Sequence, residues 1–341
     1  MTAISHVPFI ARRVAQAGRT LIELIIAMTI GLVIVIGVSS LYLSSSGISR
    51  TANQISTAEQ AGQLALLMIG DSLKIAAYGE ILGSDFAAQG QTLMDGVHLR
   101  GCTGTTFTNP FPAYQTPPLP QTPPDLGCTV ASGGDALYIR YQARPVVAPM
   151  LVANADRIAL LDCASSNVNQ AEVLSSAQLR AGAGLVRNIV TNVFRRDPAS
   201  NTLECAGYSG GGFQPLLRDV VEFRVFYRFD DAAQALGASG VTNAVPFGGS
   251  IRDAAYINGL AGAVDPWNYV VAVMVCITLQ TDEMGVGATT TNANAPRCPN
   301  SAAEAESGLN LVSATADGRI RRSFSQVFTV RARATPTPSI L

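Results

Sequence analysis

The sequence predicts an α+β fold: a long N-terminal α-helix packed on an antiparallel β-sheet head that carries long loop insertions. Three observations carry that expectation. An apolar run, Ile25 to Val38, opens the helix near the N-terminus. Ile48, Ile55, Gly62, Leu66, Ile69 and Leu73 then recur at spacings of three, four or seven, which continues the helix as an amphipathic rod whose stripe should pack on a sheet. Beyond Gly79 the pattern changes to short apolar or alternating runs separated by loops, as expected of antiparallel strands.

Taken in chain order, residues 1–18 come first. They contain Arg12 and Arg13, lack any acidic side chain and have no long apolar core, so they read as a removable basic leader. In an ordinary secretory signal the apolar region precedes the cut and is lost. Here it follows the small Gly18 and would be kept as an anchor. Residues 19–78 are expected to form the helix, with a transmembrane half at about 21–43, and residues 79–341 the β-rich head. Arg12, Arg13 and Arg19 would stay cytoplasmic while the head is translocated. Polar Ser44, Ser45, Asn53, Gln54, Glu59 and Gln60 fill the other faces of the second half. A coiled coil competes with this reading, but Gly47, Gly62 and Gly70 interrupt its pattern and sustained charged flanks are missing. Gly31 and Gly37 lie in the apolar half, where small residues permit close helix packing or are ordinary membrane-helix glycines.

Six strands are expected in the head: Ala136 to Gln142, Arg157 to Leu161, Arg187 to Phe194, Val220 to Phe229, Tyr269 to Leu279 and Ser323 to Arg331. The clearest is Val221 to Phe229, in which Glu222, Arg224 and Arg228 alternate with apolar residues to give one buried and one wet face. Phe194 to Leu203 reads as a strand that turns through Asp197-Pro198 and Ser200-Asn201 into a hairpin partner. Three segments read as surface insertions rather than core: Asn109 to Gly127, dense in proline; Ala206 to Gly212, dense in glycine; and Gly285 to Asn300, rich in Thr, Asn and Ala.

Composition fits an anchored, secreted protein: 48% hydrophobic, 14% charged, net charge -1 and a mean hydropathy of +0.26. With a pI near 6.1 and scattered lysine and arginine, the basic footprint of a nucleic-acid binder is missing. Six cysteines, Cys102, Cys128, Cys163, Cys205, Cys276 and Cys298, show no CxxC or CxxH spacing and are read as disulfides in an oxidising compartment rather than metal ligands. Pairing neighbours would join Cys102 with Cys128, Cys163 with Cys205 and Cys276 with Cys298, one of about 15 connectivities open to six cysteines.

Glu23 stands out within this frame, because a carboxylate inside an apolar helix costs about 2.5 to 3.5 kcal/mol even on a lenient insertion scale. It therefore calls for a cationic partner in a neighbouring subunit. Gly18-Arg19-Thr20-Leu21-Ile22-Glu23-Leu24, with the basic leader before it, resembles a type IV prepilin, in which a leader ending in Gly is cut and the fifth mature residue is Glu. The resemblance implies that a prepilin peptidase cuts between Gly18 and Arg19, N-methylates Arg19, and leaves Glu23 to pair with a terminal amine. Arg19 stands where major pilins usually carry Phe. A plain signal anchor is the competing reading.

A second resemblance runs through the head. Asp162-Cys163, Leu203-Glu204-Cys205, Gln214-Pro215-Leu216, Val220-Val221-Glu222-Phe223, Trp267 and Val270-Val271-Ala272-Val273 follow one another as in the PilW family of minor pilins, with Arg321-Arg322-Ser323-Phe324 before the final strand. This likeness implies a low-abundance subunit that joins other minor pilins and the major pilin to initiate a type IV pilus. It also implies a place near the pilus tip, contact with the inner-membrane assembly platform and a tip adhesin, and support of adhesion and twitching motility. The subunit would sit in the inner membrane with a periplasmic head before assembly and in the pilus afterwards. Asp230-Asp231-Ala232-Ala233 replaces the longer Asp- and Gly-rich loop common there, and two adjacent carboxylates fall short of a calcium site. A type II secretion pseudopilin shares the leader and the helix. A third reading makes the proline-rich Pro110 to Pro124 an adhesin or DNA-uptake surface.

No catalytic role, cofactor or metal is expected. Gly207-Tyr208-Ser209-Gly210-Gly211 matches G-x-S-x-G literally, but a hydrolase elbow needs a histidine later in the chain, and only His6 and His98 occur. Glu204 and Glu222 are expected on a solvated face rather than as a catalytic pair. No P-loop is present, so assembly energy would come from a separate ATPase.

Overall fold

The computed structural model describes residues 20–77, 98–109, 126–130, 133–142, 162–164, 171–172, 187–207, 212–231, 249–260, 265–284, 292–308 and 311–330. Its first element is one helix, α1 (Leu21–Lys74), which begins where the Thr20 carbonyl accepts from the Glu23 and Leu24 amides. The chain divides into two compact units, Met1–Ala52 and Asn53–Leu341, and α1 contributes to both.

Within the second unit α1 buries Gly62, Ala65, Leu66, Ile69, Gly70, Ser72 and Leu73, a stripe at helical spacing. The predicted stripe therefore begins later than its sequence pattern does. Ile48 is 60% exposed, Ile55 is half-buried, and packing starts around Ala58.

Fourteen strands are described in chain order. They are β1 (Leu99–Cys102), β2 (Thr105–Phe107), β3 (Cys128–Val130), β4 (Ala136–Gln142), β5 (Ala171–Glu172), β6 (Arg187–Asp197), β7 (Thr202–Gly207) and β8 (Gln214–Leu217). There follow β9 (Val220–Phe229), β10 (Ser250–Arg252), β11 (Val270–Met284), β12 (Asn292–Pro296), β13 (Val312–Thr315) and β14 (Arg319–Thr329), with short helices α2 (Ala254–Asn258) and α3 (Ala302–Ser307). One antiparallel sheet has the order β1-β4-β6-β7-β8, with β5 also pairing β6, and a second has the order β10-β9-β11-β14. Two small ribbons, β2-β3 and β12-β13, complete the described pairings. The fold is thus a long N-terminal helix packed on antiparallel sheets.

The central core lies between α1 and both sheets, where Leu66, Ile69 and Leu73 meet Leu137, Phe223 and Ile277. Two glycines seat the helix. A Cβ built on Gly62 would enter the ring of Phe324, and one on Gly70 would enter the ring of Phe328, both rings belonging to β14. The helix covers about 12 Å between Gly62 and Gly70 and the strand about 13 Å between Phe324 and Phe328, so the two notches match the two rings. Since Gly62 meets Phe324 and Gly70 meets Phe328, this part of α1 and β14 run in the same direction.

Gly70→Leu should therefore destabilise the protein by about 1 to 3 kcal/mol through overpacking, despite leucine's better helix propensity. Gly37→Ala is the control, because nothing lies within 4 Å of a Cβ at that position. Denaturant midpoints of the two variants in detergent test this: equal midpoints would show that the notch is not a packing constraint.

The hairpin anticipated at Phe194 to Leu203 is β6-turn-β7, closed by Asp197 opposite Thr202. Asp197 caps the turn by accepting from the Ala199 and Ser200 amides and the Ser200 hydroxyl, and Asn201 takes a positive φ of 51°, which asparagine tolerates well. Strands β4 and β9 occupy the anticipated ranges, β6 continues to Asp197, and β11 and β14 are shifted or extended relative to Tyr269 to Leu279 and Ser323 to Arg331. Tyr269 closes a 3-10 turn, Pro266–Tyr269, instead of opening a strand. The strand expected at Arg157 to Leu161 lies outside the described residues.

Several expectations need correction. The second face of β9 is not wet throughout: Phe226 is buried with Ile251 and Ala305, while Glu222, Arg224 and Arg228 are half-buried. Glu204 is not solvated, since Arg195 holds it through Nε and Nη2, both at 3.1 Å from Oε2. Glu222 accepts from the Thr278 hydroxyl and the Cys298 amide, both at 2.7 Å. The glycine-rich insertion begins inside β7, where Ala206 is fully buried. The insertion at Gly285 to Asn300 contains β12 and buries Ala295 and Cys298. Glu204 is covered by its hairpin neighbour, and in the other cases a disulfide or a segment farther along the chain supplies the cover.

Candidate assembly interface

The site is the first part of α1, a helix that is apolar all round. All of residues 20–45 are exposed, including Leu21 at 78% and Val33 at 68%. An 18-residue window of this helix has a mean hydropathy of 2.8 and none of it is buried. Leu21 to Leu43 spans about 34 Å at 1.5 Å per residue, enough to cross a hydrocarbon layer of about 30 Å. An exposed apolar surface of that extent marks a membrane or subunit interface. Three of its hydroxyls bond back to the helix: Thr29 donates to the Ile26 carbonyl, Ser40 to that of Gly37 and Ser46 to that of Leu43, at 2.8, 2.8 and 3.0 Å. Each returns its donor to its own helix, which removes the cost of placing it in lipid.

Glu23 lies in the first turn of α1 and is exposed. A carboxylate there favours the helix start through the dipole. Among the described residues no ion pair includes Glu23, and the expected partner, a terminal amine, belongs to residues outside them. Arg12, Arg13, Gly18 and Arg19 lie outside the described residues, as does Ser209. Gly31 and Gly37 open onto free surface, with nothing within 4 Å of a built Cβ.

In the head the cysteines are brought together as Cys102–Cys128, Cys163–Cys205 and Cys276–Cys298, with sequence separations of 26, 42 and 22. Closing loops of these lengths contributes about 3 to 4 kcal/mol each on the chain-entropy estimate. Each bond fastens a peripheral segment to a sheet. Cys102 in β1 holds β3, and the Thr108 and Asn109 amides donate to the Gly127 and Leu126 carbonyls, so both ends of the proline-rich segment are tied. Phe107 and Leu126 then pack on Tyr138 and Val193. Cys163 reaches β7, and its amide donates to the Asn192 carboxamide, which in turn donates to Ser72 of α1. Cys298 holds the segment leading to α3 over the outer face of β11. There Ser301 caps α3, and Glu304 is gripped by both terminal nitrogens of Arg297 at 2.8 Å, which pulls its carboxyl down to about 2.

Sequence reading missed the polar groups that lock the sheets together. Asp135, 2% exposed, accepts from the Gly104 and Val225 amides at 2.8 Å and from Arg224 at 3.3 Å. Burial lifts its pKa, and the amides and the guanidinium pull the other way. Arg196 donates to the Val220 and Gly133 carbonyls and to Asn201, so one guanidinium joins the β6-β7 turn to β9 and to the approach to β4. Arg100 pairs with Asp265 and lies 5.6 Å from the Trp267 ring centre. Trp267 donates to Asn258, whose own amide donates to the Gly101 carbonyl. Asp231 is taken up by Ser250 and Arg252. These groups serve the architecture, and among the described residues no cluster of His, Cys, Asp and Glu is arranged to hold a metal.

No family model and no curated protein sequence matches the chain. Among solved structures it is similar to a type IV-like pilin from Thermus thermophilus at 14% identity and a TM-score of 0.38, over 84% of this chain and 99% of that one.

Proposed function

We propose that this chain is a type IV minor pilin of the PilW kind: a membrane-anchored, noncatalytic subunit that helps start a pilus and remains near its tip. The observation that carries the reading is Glu23, exposed in the first turn of a helix that is apolar on every side and begins three residues after Gly18. Lipid is about as apolar as leucine and gives little hydrophobic gain between helices, so association needs another driver. Meeting the terminal amine of Arg19, in its own or a neighbouring chain, neutralises Glu23 and fixes the axial register of one subunit on the next. Prepilin peptidase, the other minor pilins, the major pilin, the inner-membrane platform and a tip adhesin are the partners this role requires.

The head suits the role through its fastening. Three disulfides and the Asp135 and Arg196 clusters keep a loop-rich domain rigid outside the reducing cytoplasm. Fractionation tests the proposal: a small share of the chain should appear in sheared surface filaments and the remainder in the inner membrane. Confinement to the membrane in cells that make normal filaments would defeat it.

A further inference from the structure

The second sheet ends on β14, and among the described residues nothing pairs with its outer edge. The ladder fixes which groups that edge presents. The Val330 amide donates to the Val271 carbonyl, and Thr329 stands opposite Ala272 in an antiparallel register that runs without a break to Arg321 opposite Gln280. Bonded and unbonded pairs alternate in such a ladder, so Phe324, Gln326 and Phe328 turn their backbone groups towards β11. Ser323, Ser325, Val327 and Thr329 turn theirs outward. Ser325, Gln326 and Val327 are exposed, Val327 at 51%.

Proteins normally blunt such an edge with charge, proline, a bulge or a covering element. Ser323 to Thr329 contains no charged residue, no proline and no glycine, and its register with β11 has no bulge. Arginines flank it in the sequence, Arg321 and Arg322 before and Arg331 and Arg333 after: Arg321 is engaged by Asp317, whereas Arg322 is 47% exposed and 3.9 Å from an equally open Glu59.

We propose that the Ser323 to Thr329 edge of β14 is a strand-addition site for an extended segment of a partner protein. That segment runs antiparallel to β14 and carries an acidic group near its end, against Arg322. Among protein partners, a regular row of outward amides and carbonyls is matched in spacing by another extended backbone, which specifies the occupant more narrowly than an apolar patch would. Antiparallel pairing is the more stable arrangement and brings the end of the added segment to Arg322. A second copy of this chain is the poorer occupant. Two β14 strands paired antiparallel about Gln326 would set Arg322 opposite Val330, with no acidic group there to meet it.

The test uses the full chain in detergent, with amide hydrogen exchange as readout and a short peptide of alternating threonine and valine closing on glutamate as probe. Saturating peptide should slow exchange at Ser323, Ser325, Val327 and Thr329 and leave the β9-β11 amides unchanged. Val327→Pro removes one outward donor and no β11 bond, and Ser325→Lys adds a charge to the edge, so each should abolish the protection. The lysine variant keeps the test decisive if the proline variant folds poorly. Unchanged exchange at saturating peptide, or full protection in both variants, would overturn the proposal. Protection that grows with protein concentration in the absence of peptide would also overturn it, by making a second copy the occupant. None of these outcomes depends on cleavage after Gly18, so failure here is separable from failure of the pilin reading.

Discussion

Glu23→Ala is expected to lower the amount of the chain in sheared filaments by roughly tenfold or more, with cleavage after Gly18 and membrane insertion retained. The direction follows from what an isolated helix must carry. Glu23 sits at the start of a helix in which every residue to 45 is exposed, and no described side chain neutralises it. Assembly that supplies a terminal amine relieves a burden of about 2.5 to 3.5 kcal/mol, and alanine removes both the burden and the reason to dock in one register. Insertion is unaffected because alanine is easier to place in lipid than a carboxylate. Glu23→Gln separates charge from shape, since it keeps the side-chain volume and loses the ion pair. Immunoblots of membrane and filament fractions measure both variants. Glutamine at wild-type levels in the filaments would show that charge pairing is not the driver.

Asp135→Ala should destabilise the head by about 3 to 5 kcal/mol, the usual cost of removing one member of a buried charged cluster. Three donors lose their acceptor at once: the Gly104 and Val225 amides and the Arg224 guanidinium. The Asp135 amide also donates to the Phe223 carbonyl, so the residue staples the start of β4 to β9 with backbone and side chain together. Asp135→Asn retains one carboxamide oxygen and should lose less. Urea unfolding with the disulfides intact reads the difference. A loss below about 1 kcal/mol for alanine would mean that water replaces the carboxylate, and that the two sheets do not depend on this joint.

What could be read from the sequence followed local chemistry. Asp197-Pro198 and Ser200-Asn201 encode their turn within a few residues, and the alternation from Phe223 to Phe229 matches the buried Phe223, Val225, Tyr227 and Phe229. Where the sequence misled, the deciding partner was distant. Asp135 has partners 31, 89 and 90 residues away, and no window around it announces them. Gly62 and Gly70 look like defects in a helical stripe until Phe324 and Phe328 fill them. Glu222 resembles any exposed strand carboxylate, yet Cys298, 76 residues on, lays its amide against it. Strands β1, β2, β12 and β13 are too short and too rich in Gly, Thr, Asn or Ala to show a period of two, and they exist because disulfides and cross-strand partners hold them. In the candidate interface the apolar helix and Glu23 were legible because composition alone marks them.

The central claim is that Glu23 becomes the fifth residue of a processed, anchored subunit. Intact-mass and N-terminal peptide analysis of the protein recovered from membranes, with and without an active prepilin peptidase, tests it most directly. The account predicts a mature chain beginning at Arg19 only when the peptidase is active. A chain that keeps its first 18 residues in the presence of the peptidase, or one cut elsewhere, would leave Glu23 without its amine and contradict the account.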